Sequence, residues 1–402
     1  MSGHLQRKTV QVSGHLEDRR GIYHMMLNWT DKHGKRGRKS MSTGLVVKGN
    51  KKRAEDMLRT AKKEIEEQLK SAPDTGTVLF ADYLEQWLET TRKKVRITTF
   101  SGYQLSVQKA VGPWFRQRGI LLSELTADDI NEFYDEKLLS LKETTVKKYH
   151  SVISLSVKYA VEKNMIPHSM LDKVKPPAIK RFIGKFLRQH EAVALFDAVR
   201  GDKLELGVIL GAFYGLRRSE VIGLRWESID FEANSMTIEH TITEVIVDGK
   251  RQLVVEDTTK SQASLRSLPL VPQFRLLLLD LYEQKKHYEK LCGKSYNKIE
   301  GQYVYSDVLG NRVTPQYLSR AFPAFLKKHG FKHMRFHDLR HSCASLLLAS
   351  GVPLKHIQEW LGHSDFAITA NLYAHLDFTS KVEAANAMTW IGRTTLGSNQ
   401  TG

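Results

Sequence analysis

From Gly21 onward the apolar residues Tyr23, Met25, Leu27 and Trp29 alternate with polar ones, which is the period of a β-strand. DKHGK (31–35) is a turn signal, and RGRKSMS (36–42) returns as a second strand with a cationic polar face. KKRAEDMLRTAKKEIEEQLK (51–70) then takes up a helical period. Phe80, Tyr83, Leu84, Trp87 and Leu88 make one apolar helix face, and TADD (126–129) has the spacing of a capping box. The stretch 144–161 predicts an amphipathic helix with Val146, Tyr149, Val152 and Ile153 inward and Lys147, Lys148 and His150 outward. HEAVALFDAVR (190–200) and LELGVILGAFYGL (204–216) are helical. Residues 236–270 read as three strands with a hairpin turn at Asp248-Gly249. In HDLRHSCASLLLASG (337–351), Leu339, Cys343, Leu346 and Leu347 mark a buried helix face. His337, Arg340 and His341 share another face at the first turn.

Two stretches interrupt these patterns. SAPDTGT (71–77) has linker composition, and DKVKPPAIKRFIGKFL (172–187) breaks helix with two prolines and carries a basic run. The chain therefore divides into 1–72, 78–175 and 179–402. The expected fold class is multidomain α+β: a small N-terminal β-sheet plus helix, a helical domain, and a mainly α domain with a three-stranded antiparallel sheet. No internal repeat is visible, and LGSNQTG at the end reads as a frayed tail.

Charge adds a partner to this picture. Of 402 residues, 61 are Lys or Arg and 44 Asp or Glu, a formal net charge of +17. A hydrophobic share of 41% is enough for ordinary cores, so the excess charge points to a polyanion, nucleic acid before an anionic membrane surface. Residues 1–72 hold 17 Lys/Arg against 8 Asp/Glu, more than half of the excess. A strand ribbon bearing Arg36, Arg38 and Lys39 has the width to lie in a DNA groove, although a basic strand also serves to blunt a sheet edge. Lys147 and Lys148 are DNA-contact candidates of the same kind, against a plain solvated helix face. No stretch approaches the ~18 apolar residues of a membrane span, and the first residues hold no signal-peptide core. Two cysteines, Cys292 and Cys343, exclude a disulfide framework and a four-cysteine zinc site, so a reducing, cytoplasmic setting is expected.

The chemistry lies in four short stretches: GLRRSE (215–220), TTKSQAS (258–264), HDLRH (337–341) and EWLGHSDFAITANLYAHL (359–376). Each is weak alone. A Lys in a β-turn is usually solvated, and Tyr373, at helical spacing with Phe366, Thr369 and Leu372, is an ordinary core pattern. Together they supply two guanidiniums to clamp a phosphate, imidazoles to donate hydrogen bonds or carry protons, a lysine to protonate an alkoxide and a tyrosine hydroxyl to attack phosphorus. Cations at a helix N-terminus are disfavoured without an anion among them, so an anion is expected at 337–341. No carboxylate cluster suggests a metal, and no cofactor is implied. His337 and His341 have the spacing of a zinc pair, but HExxH is absent. Arg217 and Arg218 are both able to face an anion, and Cys343 reads as core.

Arg217 in GLRRSE, Lys260 in the strand turn, HDLR at 337–340, LGH at 361–363 and Tyr373 occur in the order and rough spacing of the tyrosine recombinases, or phage-type integrases. The resemblance covers about 179–376. It implies that Arg217 and Arg340 bind the scissile phosphate, and selects Arg217 over Arg218. Lys260 would be general acid for the 5′-oxygen, His337 would assist the tyrosine proton, and His363 would hydrogen-bond the phosphate. Tyr373 would be the nucleophile, giving a 3′-phosphotyrosyl link, with a Holliday junction between two strand exchanges. Residues 78–175 resemble the family's core-binding domain. Residues 1–72 resemble the arm-site DNA-binding domain of integrases from conjugative transposons and Gram-positive phages. The implied partners are double-stranded DNA at core and arm sites, further copies in a tetramer, and an accessory DNA-bending protein or excisionase. An amphipathic stretch at 377–392 would dock on a neighbouring subunit or on its own domain. The rival readings are a cellular recombinase that resolves chromosome dimers, a catalytically silent DNA-binding regulator and a type IB topoisomerase.

Overall fold

A computed structural model describes residues 10–30, 36–71, 77–179, 185–257 and 265–363. Contacts divide the chain into two units, Met1–Lys180 and Arg181–Gly402.

The first unit opens with an antiparallel sheet of β1 (Gln11–Arg19), β2 (Ile22–Thr30) and β3 (Arg36–Val46), in that order. The expected hairpin is therefore the inner part of a three-stranded sheet. β1 escaped the sequence pattern because QVSGHLEDR offers only Val12 and Leu16 as apolar positions. It joins β2 through Arg20 and Gly21, both at positive φ. Met25 and Leu27 pack on Leu58 and Ala61 of α1 (Lys51–Ser71), with Trp29 and Leu16 beside them. Trp29 pairs with Gly37, where an added Cβ would lie 2.4 Å from the indole, so β3 needs glycine there. Arg36 and Arg38 are exposed and share one face of β3. Lys39 pairs with Leu27, so it lies on the opposite face, the one Leu27 turns to α1; the three cations do not form a single stripe. The DKHGK turn lies outside the described residues.

The helical region comprises α2 (Phe80–Thr91), α3 (Ile97–Ser106), α4 (Gly112–Gln117), α5 (Ala127–Leu138) and α6 (Glu143–Glu162). All five apolar residues expected on the α2 face are buried. Thr126 and Asp129 form the capping box, with Thr126 Oγ1 accepting from the Asp129 N–H at 3.2 Å and Asp129 Oδ2 accepting from the Thr126 N–H at 2.8 Å. Val146, Val152 and Ile153 are buried in α6 and Tyr149 is half-buried. His150 departs from its expected outward place. Its Nδ1 lies 2.9 Å from the Tyr134 hydroxyl, because α5 packs close enough to recruit a residue at the edge of the apolar stripe. Lys148 is exposed and Lys147 half-buried.

The second unit is built around α8 (Glu205–Ala212), whose residues Leu206–Ala212 are all buried. It packs against α7 (Gln189–Val199) and α12 (Asp338–Ala349), with Leu318 and Phe322 of α11 (Pro315–Lys328) in the same core. Arg217 precedes the short helix α9 (Arg218–Gly223), and α10 (Pro272–Cys292) follows the strands. The run expected as three strands contains four, divided between two sheets. β5 (Ser235–Ile238) and β8 (Arg266–Pro269) pair with each other and, with β4 (Ile229–Asp230), make the three-stranded antiparallel sheet; β6 (Thr241–Val247) and β7 (Lys250–Glu256) form a separate hairpin. Asp248 and Gly249, at φ 52° and 74°, make the hairpin turn that their sequence predicts. Helix α13 (Leu354–Leu361) ends in Gly362 at φ 67°, a left-handed cap. No helix among the described residues is long and apolar enough to cross a membrane.

Candidate active site

Three arginines from three separate elements meet at one buried carboxylate. Glu220, 1% exposed, lies one turn into α9. Its Oε1 accepts from Arg217 Nη1 at 2.6 Å and its Oε2 accepts from the Arg217 backbone N–H at 2.8 Å. Arg266, the first residue of β8, donates from Nη2 to Oε2 at 2.9 Å. Arg340 of α12 stands 4.0 Å from Oε2. Burial opposes the charge of Glu220, but Arg266, Arg217 and Arg340 outweigh it and hold the carboxyl at about 2.

The same three guanidiniums cap the end of α13. Arg266 Nε donates to the Trp360 carbonyl at 2.8 Å, Arg340 Nη2 to Leu361 at 2.6 Å and Arg217 Nη2 to Gly362 at 2.9 Å. The last carbonyls of a helix have no partner within it and carry its negative pole, so three cations stabilise this end. Arg340 also donates from Nη1 to the Gly215 carbonyl at 2.6 Å. Gly215 sits at φ +67°, and a Cβ there would lie 2.3 Å from Leu361 Cδ2. Only glycine admits this turn, which aims its carbonyl at the guanidinium. Arg340 is 3% exposed; burial and then the nearby Arg217 lower it to about 9, leaving it charged at neutral pH.

Arg217 is one-third exposed and opens onto a cleft of about 490 Å³. Arg218, Arg335 and His337 also line the cleft, with Ser219 and Ser319, and among the described lining residues there is no carboxylate. Three guanidiniums around such a cleft suit an anion. Arg218 is exposed and donates to the Ser319 hydroxyl, so it flanks the cleft while Arg217 joins the buried cluster. Part of the expected negative charge at 337–341 is internal. Asp338, at the first position of α12, accepts from the Arg335 backbone N–H at 2.8 Å and its guanidinium at 2.6 Å.

Two of the expected histidines border this cluster. His337 is exposed on its outer side and crowded on its inner side. That crowding, with His341 and Arg340 nearby, lowers its imidazole to about 4, an effect that water on the open side screens in part. The His341 ring meets it edge-to-face, centroids 5.1 Å apart. His363, 8% exposed, follows Gly362 directly; burial, then Arg340 and Arg217, push it down to about 3. Both imidazoles are neutral at pH 7, able to accept a proton on one nitrogen and donate a hydrogen bond from the other. Cys343 is core, as expected: its thiol donates to the Phe213 carbonyl at 3.0 Å, and burial pushes it up to about 12.

The structure thus brings Arg217, Arg340 and His363 together, with His337 at the cleft. Lys260 and Tyr373, and the stretch 377–392, lie outside the described residues. Glu220 and Arg266 were missed in the sequence. A signal existed for each: Glu220 stands three residues after Arg217, and Arg266 falls on the inward parity of a strand beside Leu268.

Residues 185–380 match the phage integrase family. A relative named tyrosine recombinase XerC-like, from Caldanaerobacter subterraneus subsp. tengcongensis, is 28% identical over 335 residues, covering 78% of this chain and 84% of the relative. An integrase of Streptomyces ambofaciens is 26% identical over 80% of this chain and 82% of that protein. The Tn1549 transposon integrase, solved in complex with transposon right end DNA, shares the fold with a TM-score of 0.59 at 17% identity, over 77% of this chain and 99% of that one. A lambda integrase dimer bound to a core site superposes with a TM-score of 0.52 at 17% identity, over 89% of this chain and 93% of that one.

Proposed function

We propose that this site-specific tyrosine recombinase, which matches the phage integrase family over residues 185–380, integrates and excises a mobile DNA element. The observation that carries the catalytic assignment is the convergence of Arg217, Arg266 and Arg340 on Glu220 beside a cleft lined by cations. One carboxylate cannot neutralise three guanidiniums, so the site keeps positive charge for a phosphodiester.

In this proposal Arg217 and Arg340 bind the non-bridging oxygens of the scissile phosphate, and His363 donates a hydrogen bond to it. The Tyr373 hydroxyl attacks phosphorus as neutral His337 takes its proton. The P–O5′ bond breaks, Lys260 gives a proton to the departing O5′, and the phosphate remains on Tyr373 as a 3′-phosphotyrosyl ester. Attack by the 5′-hydroxyl of a partner strand reverses the step, so the ester conserves the bond energy and no cofactor is needed. Two such exchanges pass through a Holliday junction.

The assembly is proposed on the same footing: residues 78–175 and 179–402 clamp core-site DNA, with Lys147 and Lys148 toward the backbone, and residues 1–72 grip arm sites chiefly through Arg36 and Arg38, with Lys39 on the other face of the sheet. Four copies act together in the cytoplasm, with an accessory DNA-bending protein or excisionase. The basic N-terminal sheet supports the mobile-element reading. The XerC-like relative supports chromosome-dimer resolution as the second.

The test is incubation with nicked DNA spanning an element end, followed by a denaturing gel. A covalent adduct that Tyr373→Phe abolishes is expected; no adduct from the unaltered chain would leave a DNA-binding regulator instead. Recombination of two element ends on one plasmid then separates a mobile-element enzyme from a chromosomal one.

A further inference from the structure

We propose that Arg266 is a positioning residue of the active site: it occupies Glu220 so that Arg217 and Arg340 keep donors for the DNA phosphate. The proposal rests on the reading that those two guanidiniums bind that phosphate.

Arg266 is a charged side chain only 6% exposed, and it does not line the cleft. Its partners among the described residues include Glu220, at 2.9 and 3.4 Å, and the Trp360 carbonyl, at 2.8 Å, and its role is argued from these two. Glu220 cannot do without a partner on that side. A buried carboxylate left short of donors takes the nearest ones, because an unpaired charge in the interior is far costlier than a rearranged hydrogen bond. The nearest donors are those needed elsewhere. Arg217 is already at 2.6 Å, and Arg340 is held at 4.0 Å by the carbonyls of Gly215 and Leu361. With Arg266 in place, Arg340 has no reason to close that gap. Without it, Glu220 draws both guanidiniums inward, and a phosphate arriving in the cleft competes with a carboxylate for them.

Arg266 also ties three elements to one point. It starts β8, reaches α9 through Glu220, and holds the last turn of α13. Its bonds to Glu220 and to Trp360 fix the separation between that carboxylate and the run of carbonyls Trp360, Leu361 and Gly362, along which the other two arginines are spaced.

The experiment measures the single-turnover rate of adduct formation on nicked DNA, and DNA affinity separately, with urea unfolding as a check on folding. Arg266→Gln should slow adduct formation about tenfold or more, as loss of an outer partner does at other preorganised sites, while leaving DNA affinity nearly unchanged. Arg266→Lys, which keeps the charge, should retain most of the rate. The deciding variant is Arg266→Gln with Glu220→Gln. With the competing carboxylate neutral, Arg217 and Arg340 are released, so the double variant should react faster than Arg266→Gln alone. A double variant equal to or slower than the single would overturn the proposal, as would Arg266→Lys failing as badly as Arg266→Gln. The underlying reading is judged in the same gel by Arg217→Ala. If that variant cleaves normally, the phosphate assignment fails and this proposal falls with it; if it is inactive and the double variant shows no rescue, only the role of Arg266 is refuted.

Discussion

His240 Nδ1 and Asp257 Oδ1 lie 2.6 Å apart, joining the residue just before β6 to the residue just after β7. The pair closes the base of the hairpin. Arg225 reaches the same carboxylate oxygen at 3.0 Å, and the Tyr303 hydroxyl lies 3.2 Å from His240 Nε2. Asp257 is the last described residue before the stretch that carries Lys260. Lys260, the proposed general acid, follows Asp257 by three residues in the sequence. Asp257→Ala is expected to lower the adduct rate by about tenfold, in line with other outer-partner losses, and DNA affinity little. Equal loss of both, measured by adduct gel and mobility shift, would mean the junction does not serve the reaction.

Arg340→Ala should cripple cleavage far more than binding, because contacts along the DNA backbone outside the cleft remain. Its guanidinium lies at the centre of the cluster, with carbonyls of Gly215 and Leu361 as acceptors. Arg340→Lys should rescue poorly, since an ammonium cannot span both carbonyls in the geometry of a planar fork. Parallel measurement of adduct rate and dissociation constant checks both statements.

Gly215→Ala tests the turn that aims one of those carbonyls. A methyl group at φ +67°, 2.3 Å from Leu361 Cδ2, should destabilise the fold on the order of 2–4 kcal/mol. Urea unfolding measures this directly. The same change should reduce cleavage by more than the loss of folded protein, since the carbonyl that orients Arg340 moves.

Stability should fall on the acid side of neutrality. The imidazole of His363, about 3 in the fold, stands well below its unfolded value of about 6.5. The unfolded chain therefore binds the proton first. This contribution is complete above pH ~6.5 and is lost as pH falls toward 3, at up to about 1.4 kcal/mol per pH unit. His240, His337 and His341 are lowered too, each mainly by burial, and act in the same direction. His363→Gln should flatten the acid limb of the stability profile. An unchanged limb would show that His363 is not held neutral by its surroundings.

The cationic strand makes a graded prediction for arm-site DNA. Arg36→Ala and Arg38→Ala should each reduce the slope of log affinity against log salt by about 1, if each meets a phosphate. Lys39→Ala should matter less, because its register with Leu27 turns it to the other face. Equal effects from all three would argue for diffuse attraction over a docked strand.

The local elements and the kinds of chemistry available were legible in the order of residues along the chain. The alternation at Tyr23–Trp29, the capping box at Thr126, the Asp248-Gly249 turn and the apolar face of α2 all appear where the pattern places them, since each depends on residues within a turn or two of one another. The residue types of the site were legible too, Arg217, His337, Arg340 and His363 among them. What those residues meet came from the packing of distant elements. It split one expected sheet into a sheet and a hairpin, turned His150 inward onto Tyr134, and set Lys39 on a different face from Arg38. It also brought Arg266 and Arg340, far from Glu220 in the chain, to that one carboxylate and to the successive carbonyls of Trp360 and Leu361 at the end of α13. Periodicity records which face of an element is buried; it does not record which other element arrives there, and in a low-dielectric interior that arrival fixes the charge state and reach of every group in the cluster.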